Sequence, residues 1–387
     1  MKKALSILLA ALMCVVLFAG CSNAPAEETP APTEAPAETN QTPTEPTEAP
    51  AETTPAGDTY ELAMITDIGT IDDKSFNQGT WEGIKAYAEE HNITHKYYKP
   101  TEQSNDAYLA AIQLAVEGGA KVIATPGFLF EEPIYIAQDL YPDVSFILID
   151  GNPHNADYSE YRTNSNAVGI TYAEQQAGYL AGYACVKDGY TKLGFMGGMA
   201  VPAVIRYGYG FVQGAEAAAA ELGIESIDMK YHYTGGFDAT PEAQALAASW
   251  YNEGTEVIFG CGGAVGNSVM AAAEANNGKV IGVDVDQSTE SETVISSAMK
   301  GLAASVQQTI EAYYNGEFPG GEAVVKDASN DGVKLPMESS KFTTFSQADY
   351  DALFAKLAAG EITLKTDTDA ATAAELGMSI VKVTIVD

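Results

Sequence analysis

From residue 58 onward the chain alternates short apolar, β-branched runs with longer stretches whose apolar positions recur at helical spacing. The strand-like runs fall at 62–66, 96–98, 122–125, 144–150, 192–196, 226–233, 257–260 and 280–284. Helices are predicted between them at 81–90, 108–117, 135–140, 173–187, 209–222, 242–252 and 267–276. Uncharged strands alternating with helices are the pattern of parallel sheets covered on both faces, an α/β fold. Eight strands fit one large sheet, a barrel or two sheets.

Three features favour two similar lobes. Each half holds about four strand–helix units, with a break at 157–167 where Ser, Asn, Tyr and Arg replace the periodic pattern. This puts lobe 1 at about 58–166 plus returning C-terminal segments, lobe 2 at about 167–290, and the end of the two-lobed body near 365. Strand ends in both halves run into polar or glycine residues: Thr66-Asp67, Thr125-Pro126-Gly127, Asp150-Gly151, Gly197-Gly198, Gly262-Gly263 and Val283-Asp284. Ligands of open α/β sheets sit beyond the carboxyl ends of the strands, so two lobes facing each other with these ends make a cleft. The third feature is the export signal described next, which suits a capture device better than a metabolic enzyme. The tail at 366–387 contains a strand-like run at 381–386 to which the pattern assigns no place.

The N-terminal segment belongs to a different class of sequence. Lys2 and Lys3 precede an apolar run to Phe18 and then small residues, the layout of an export signal at 1–20. Leu17-Phe18-Ala19-Gly20-Cys21 resembles the lipobox of bacterial lipoproteins, although Phe18 stands where Leu is usual. That resemblance implies that Cys21 is lipidated with diacylglycerol and palmitate-type chains and anchors the protein to the extracytoplasmic face of the cell membrane; two or more chains suffice for stable anchoring. Residues 22–57 are almost wholly Ala, Pro, Thr and Glu, with no aromatic residue to bury, and read as an extended, disordered tether.

Charge narrows the partners. The 387 residues carry 20 Lys+Arg against 53 Asp+Glu, a net charge of −33, and removing residues 1–57 leaves 18 basic and 46 acidic side chains in the body. Such a surface repels phosphate backbones, so nucleic acid is not expected as a partner. The 4 cysteines include no C-x-x-C pair, the 4 histidines are isolated, and no metal or cofactor site is expected. Cys185 and Cys261 lie in apolar runs and read as small buried hydrophobes.

The densest polar cluster, Asp67-Ile-Gly-Thr-Ile-Asp72-Asp73-Lys74-Ser75-Phe76-Asn77-Gln78, lies between the first strand and the first helix. Its bland reading is a cap, with Ser75 or Asp73 at the helix N-terminus and Phe76 in the core. With Trp81-Glu82-Gly83 after it, the cluster resembles the signature of the basic membrane protein family of substrate-binding lipoproteins that serve ABC transporters for nucleosides. Further motifs agree in order: Gly127-Phe128-Leu129, Tyr141-Pro-Asp143 through Asp150-Gly151, Glu174-Gln-Gln-Ala-Gly178, Gly194-Phe-Met-Gly-Gly198, Gly262-Gly263 and Gly282-Val-Asp284. The resemblance runs from about Glu61 to Lys300.

It implies two Rossmann-like lobes with parallel sheets, a clamshell of the periplasmic-binding-protein type I, joined by crossing hinge segments. It implies a purine nucleoside as ligand and ABC permease subunits as partners, with no enzymatic activity. Carried over residue by residue, Phe76 would stack on the purine, Asn77, Asp67 and Asp150 would read its polar edges, and Tyr207 would supply the second aromatic, where Phe is common. Gly262 would let the ribose approach the backbone, Asp284 would accept from ribose hydroxyls and Lys300 would donate one hydrogen bond. Stacking on an aromatic ring contributes roughly 1–3 kcal/mol per base and tolerates different bases. Acidic groups around the cleft would disfavour phosphates, so the expected ligand is a nucleoside and not a nucleotide.

Other readings remain open at this level. The same fold could take a sugar or riboflavin, or act as a surface receptor with no transport role. A dinucleotide fingerprint at Gly260-Cys-Gly262-Gly263 fails because Val265 occupies the third glycine position, no P-loop, H-E-x-x-H or G-x-S-x-G is present, and only the Asp67/Asp150 pair hints at hydrolysis.

Overall fold

The computed structural model describes residues 59–386. The expected export signal, the expected lipidation site Cys21 and the expected tether lie outside the described residues. In chain order the first elements are β1 (Leu62–Ile65), α1 (Phe76–His91), β2 (His95–Tyr98), α2 (Asn105–Glu117), β3 (Val122–Pro126), α3 (Glu131–Leu140), β4 (Ser145–Ile149) and β5 (Ala167–Tyr172). There follow α4 (Glu174–Lys187), β6 (Lys192–Gly197), α5 (Pro202–Leu222), β7 (Ile227–Tyr233), α6 (Pro241–Asn252), β8 (Val257–Cys261), α7 (Val265–Asn276), β9 (Lys279–Asp284) and β10 (Val294–Lys300). The chain ends with α8 (Leu302–Tyr314), β11 (Ala323–Lys326), β12 (Val333–Lys334), α9 (Gln347–Ala358) and β13 (Val381–Ile385).

These strands form two sheets. One has the order β11-β5-β4-β3-β1-β2, the other β12-β10-β9-β8-β6-β7-β13. Pairing is parallel throughout except for β12 on β10. Apart from β13, the two orders are the same once β1–β5 are matched to β6–β10, so each lobe repeats the other's wiring. The central strands β3 and β4 are buried along their whole length, which is why they read as unbroken apolar runs.

The chain crosses between lobes three times, after Tyr172, after Lys300 and between Lys326 and Val333. The crossings lie side by side: Ala173 N donates to Lys326 O at 2.9 Å and Gly301 N to Gly332 O at 2.8 Å. The expected boundary at 166 therefore falls one strand early. β5 completes the first sheet, and 157–167 lost its periodicity because it is an excursion that stays on lobe 1, where the Asn166 amide bonds the carbonyls of Gln138, Tyr141 and Val144. Lobe 2 also runs past 290: β10, β12 and β13 join its sheet, whereas α8 and β11 return to lobe 1. The tail finds its place as β13, paired in parallel to the edge strand β7 from Val381↔Ile227 to Ile385↔Tyr231.

Helices α4 and α5 approach unusually closely through glycines on both. A Cβ on Gly178 would lie 2.1 Å from Tyr207 O, one on Gly182 2.1 Å from Phe211 O, one on Gly210 2.1 Å from Gln175 O and one on Gly214 2.0 Å from Tyr179 O. This contact draws the first turns of α4 and α5 together below the cleft. No helix among the described residues is long and apolar enough to cross a membrane.

Candidate functional site

Asp73 organises the loop that enters the site. Its carboxylate accepts from the backbone N–H groups of Ser75 and Asn77, both at 2.9 Å, and of Gln78 at 3.1 Å, satisfying donors that the first turn of α1 would otherwise leave unpaired. The cap reading thus holds for Asp73, but Phe76 is only half-buried and lines a cleft of about 740 Å³ between the two lobes. The adjoining Asn77 donates its side-chain amide to Asp67 Oδ1 at 2.9 Å and to Asp73 Oδ2 at 3.1 Å. Gly69 N gives Asp67 Oδ1 a second donor at 2.7 Å. Burial pushes the Asp67 carboxyl up to about 6 against these hydrogen bonds.

All eight residues expected at the site, Asp67, Phe76, Asn77, Asp150, Tyr207, Gly262, Asp284 and Lys300, line this one cleft. Their positions follow from the repeated wiring. Asp150 follows β4 and Asp284 ends β9, the equivalent strand of the other lobe, and both have left-handed backbones, with φ of 61° and 66°. Aspartate tolerates this region better than most residues, and here it turns each chain sharply where the sheet ends. Gly262, after β8, has φ 136° and could carry no Cβ without meeting Gly198 N at 3.0 Å and the Phe237 ring at 3.1 Å.

Asp284 is 5% exposed and is held from both lobes: Ser75 Oγ donates to its Oδ2 at 2.5 Å and Tyr207 Oη to its Oδ1 at 3.3 Å. Burial pushes its carboxyl above the usual range, while the nearby Lys300 ammonium and the Ser75 hydroxyl pull it down. Lys300 ends β10 at the second crossing and contacts Asp150 directly, with Glu174 Oε1 at 3.1 Å. Its ammonium also lies 5.1, 5.3 and 5.5 Å from the ring centres of Phe76, Tyr172 and Tyr207, within cation–π range. Burial alone would depress the Lys300 pKa, but Asp150, Glu174 and Asp284 raise it, so the group stays charged. Asp150 Oδ1 and Asn152 Oδ1 are buried acceptors with no protein partner, and both residues line the cleft.

Tyr207 is brought to the cleft but differs from its expected role. Its ring is 2% exposed and its hydroxyl is spent on Asp284, so it braces a carboxylate and offers little open face. The half-buried Phe237 is the lobe 2 aromatic that faces the cleft, packed over the Gly198 and Gly262 turns. Reading the sequence missed it because it lies in the irregular Thr234-Gly-Gly-Phe237-Asp238 stretch, outside any periodic run. Glu174, Ser75 and Arg206 were also missed as site residues. A lone Arg in the first turns of an otherwise apolar helix, on a chain short of basic residues, was the available signal for the last. No group of His, Cys, Asp and Glu among the described residues is arranged to hold a metal ion.

What this geometry offers is a two-sided polar cleft with buried, prepositioned acceptors and aromatic walls. The family model of ABC transporter substrate-binding proteins of the PnrA-like type matches residues 60–366. This chain belongs to that family. Its members are substrate-binding proteins and not enzymes. Among relatives, the chain is 29% identical over 301 residues to the ABC transporter nucleoside-binding protein BmpA of Lactococcus lactis subsp. cremoris, covering 72% of this chain and 82% of that protein. It is 29% identical over 300 residues to basic membrane protein A2 of Borrelia garinii subsp. bavariensis, covering 76% and 85%. Two solved structures share the fold: an ABC transporter solute-binding protein from Aeropyrum pernix K1, at 22% identity and TM-score 0.70 over 81% of this chain and 95% of that one, and another from Conexibacter woesei, at 24% identity and TM-score 0.63 over 79% and 99%. The basic membrane protein resemblance and the periplasmic-binding-protein type of fold are thereby shown, and the family match extends beyond Lys300, where the sequence motifs had run out.

Proposed function

We propose that this member of the family is the extracytoplasmic, lipid-anchored binding component of an ABC importer, that it captures a purine nucleoside between its lobes, and that it delivers the nucleoside to permease subunits. The observation that carries this reading is the pairing of the half-buried Phe76 with Asp284, a buried carboxylate fixed by Ser75 and Tyr207. One carboxylate can accept from both vicinal hydroxyls of a ribose in short charge-assisted bonds, and Phe76 from lobe 1 with Phe237 from lobe 2 would flank a planar base. In this assignment Asp67, held by Asn77, and Asp150, with its unpartnered Oδ1, read the base, Lys300 donates to the sugar, and Gly262 admits it to the backbone. The Lactococcus relative's description as nucleoside-binding supports the same ligand class. Anchoring rests on Cys21 and the tether, read from sequence.

The test is to denature the purified protein and identify the released small molecule by mass spectrometry, then to titrate guanosine, adenosine and inosine by calorimetry. Phe76→Ala and Asp284→Ala should each weaken binding at least tenfold, about 1.4 kcal/mol. Unchanged affinity in both variants would remove the proposed site, and a sugar or flavin as the retained ligand would replace the purine assignment.

A further inference from the structure

Among the described residues, the two basic side chains that line the cleft, Lys300 and Arg206, are both already occupied by carboxylates. Asp150 and Glu174 flank Lys300; Glu174 Oε2 then accepts from Arg206 Nε at 2.5 Å, and Arg206 Nη1 lies 3.2 Å from Asp367 Oδ1. The result is a ladder of alternating charge, Asp150–Lys300–Glu174–Arg206–Asp367, running from lobe 1 through the crossing segments to the C-terminal segment. Glu174, wholly buried beneath the cleft, is shared by both cations. The last rung is the exception, because Asp367 is the first residue beyond the family match at 60–366.

Its position is not incidental. Arg206, Tyr209, Gln213 and Glu216 recur at helical spacing along one face of α5, and each holds a part of this segment. Gln213 exchanges two hydrogen bonds with the Lys365 backbone, at 2.8 and 3.0 Å. Tyr209 Oη donates to Ala370 O at 3.1 Å, and Glu216 accepts from the N–H groups of Ser379, Ile380 and Val381 at 2.9, 3.0 and 2.8 Å. The segment is therefore fixed on both sides of Asp367, which delivers its carboxylate to the guanidinium at the cleft wall.

We propose that Asp367 is a specificity-determining residue: by occupying Arg206 it leaves the cleft without a cation free to receive an anionic group, and so excludes phosphorylated forms of the ligand. Without Asp367 the guanidinium would keep Glu174 at Nε but leave Nη1 to donate to a phosphate oxygen. With Asp367 in place, a phosphate meets an arginine already engaged at two edges and the surrounding carboxylates of the cleft. This inference rests on the nucleoside reading for its ligand but on the ladder for its mechanism.

Inosine and inosine 5′-monophosphate, titrated by calorimetry into the full-length mature protein at fixed ionic strength, test it. The wild type should bind the monophosphate at least a hundredfold more weakly than inosine. Asp367→Ala should narrow that ratio at least tenfold by tightening the monophosphate, Asp367→Glu should restore the wild-type ratio, and Asp367→Ala with Arg206→Met should lose the gain. A ratio unmoved by Asp367→Ala, or a gain that survives loss of Arg206, overturns the proposal. A second arm uses inorganic phosphate alone in thermal unfolding: Asp367→Ala should gain a phosphate-dependent rise in Tm that the wild type lacks, and absence of that gain also overturns the proposal. If inosine fails to bind the wild type while the phosphate gain appears, the nucleoside reading falls and the charge ladder stands.

Discussion

Asp67 shows how one residue's surroundings set both its chemistry and a measurable signature. Burial raises its carboxyl from 3.8 to about 6, opposed by donors from Gly69 and Asn77. Because the folded pKa lies above the ordinary value, its contribution to stability is fully present below about pH 4 and is lost as pH rises through about 6. A ligand N–H or O–H donated to this group needs the carboxylate, so affinity should move the other way. Between pH 7 and 5 nucleoside binding should weaken in calorimetry, and because burial raises the Asp150 carboxyl of the same cleft to about 6 as well, Asp67→Asn should reduce that slope and not abolish it. An affinity independent of pH over this range would mean that Asp67 does not accept from the ligand. The place of Asp67 at the cleft was legible in sequence because chemistry-bearing residues cluster within twelve positions there. Phe237 carries no such local mark, and only the meeting of the β6 and β8 turns reveals that its ring faces the cleft.

Among the elements, the pairing of α4 with α5 has the sharpest consequence for the site. Their glycines let the helix backbones touch, and that contact sets Glu174 at the start of α4 against Arg206 and beside Tyr207 in α5. Gly178→Ala should therefore destabilise the protein by about 1–3 kcal/mol in denaturant unfolding and should weaken ligand binding as well, whereas Gly223→Ala, at a position with open space around it, tests only the left-handed C-cap of α5. Equal effects of the two would contradict the packing argument. Loss of the α1 cap in Asp73→Ala should cost about 1 kcal/mol and loosen Asn77, with a further drop in affinity. Eight strands and seven helices were legible from periodicity. Their helix starts were placed too late at α1, α2, α3 and α5, because those first turns are polar or glycine- and proline-containing and lack the apolar repeat. β5 and β10 were missed because each lies beside an irregular segment or carries serines, and a buried strand tolerates polar residues that find partners in the segments packed on it, as Ser296 does in Ser340, between β12 and α9, at 2.8 Å.

At the scale of the whole molecule, the site belongs to neither lobe. Asp284 of lobe 2 is held by Ser75 of lobe 1, and Gln287 Nε2 donates to Lys74 O across the same gap at 2.6 Å. A ligand that contacts both sides should stabilise the arrangement in which they meet. Saturating nucleoside should reduce the radius of gyration in solution scattering and slow hydrogen exchange at the three crossings, and Ser75→Ala should weaken both responses. No change in either measurement would argue against interlobe capture. The sequence by itself determined the α/β class, the family and eight of the residues that line the cleft, because these depend on periodicity and short motifs contiguous in the chain. Tertiary structure alone decided where the lobes divide, that Tyr207 braces a carboxylate while Phe237 takes the open face, and that a C-terminal segment reaches the cleft. Those outcomes depend on which distant segments pair, and a charge ladder assembled from residues 150, 174, 206, 300 and 367 has no period or motif that a linear reading can detect.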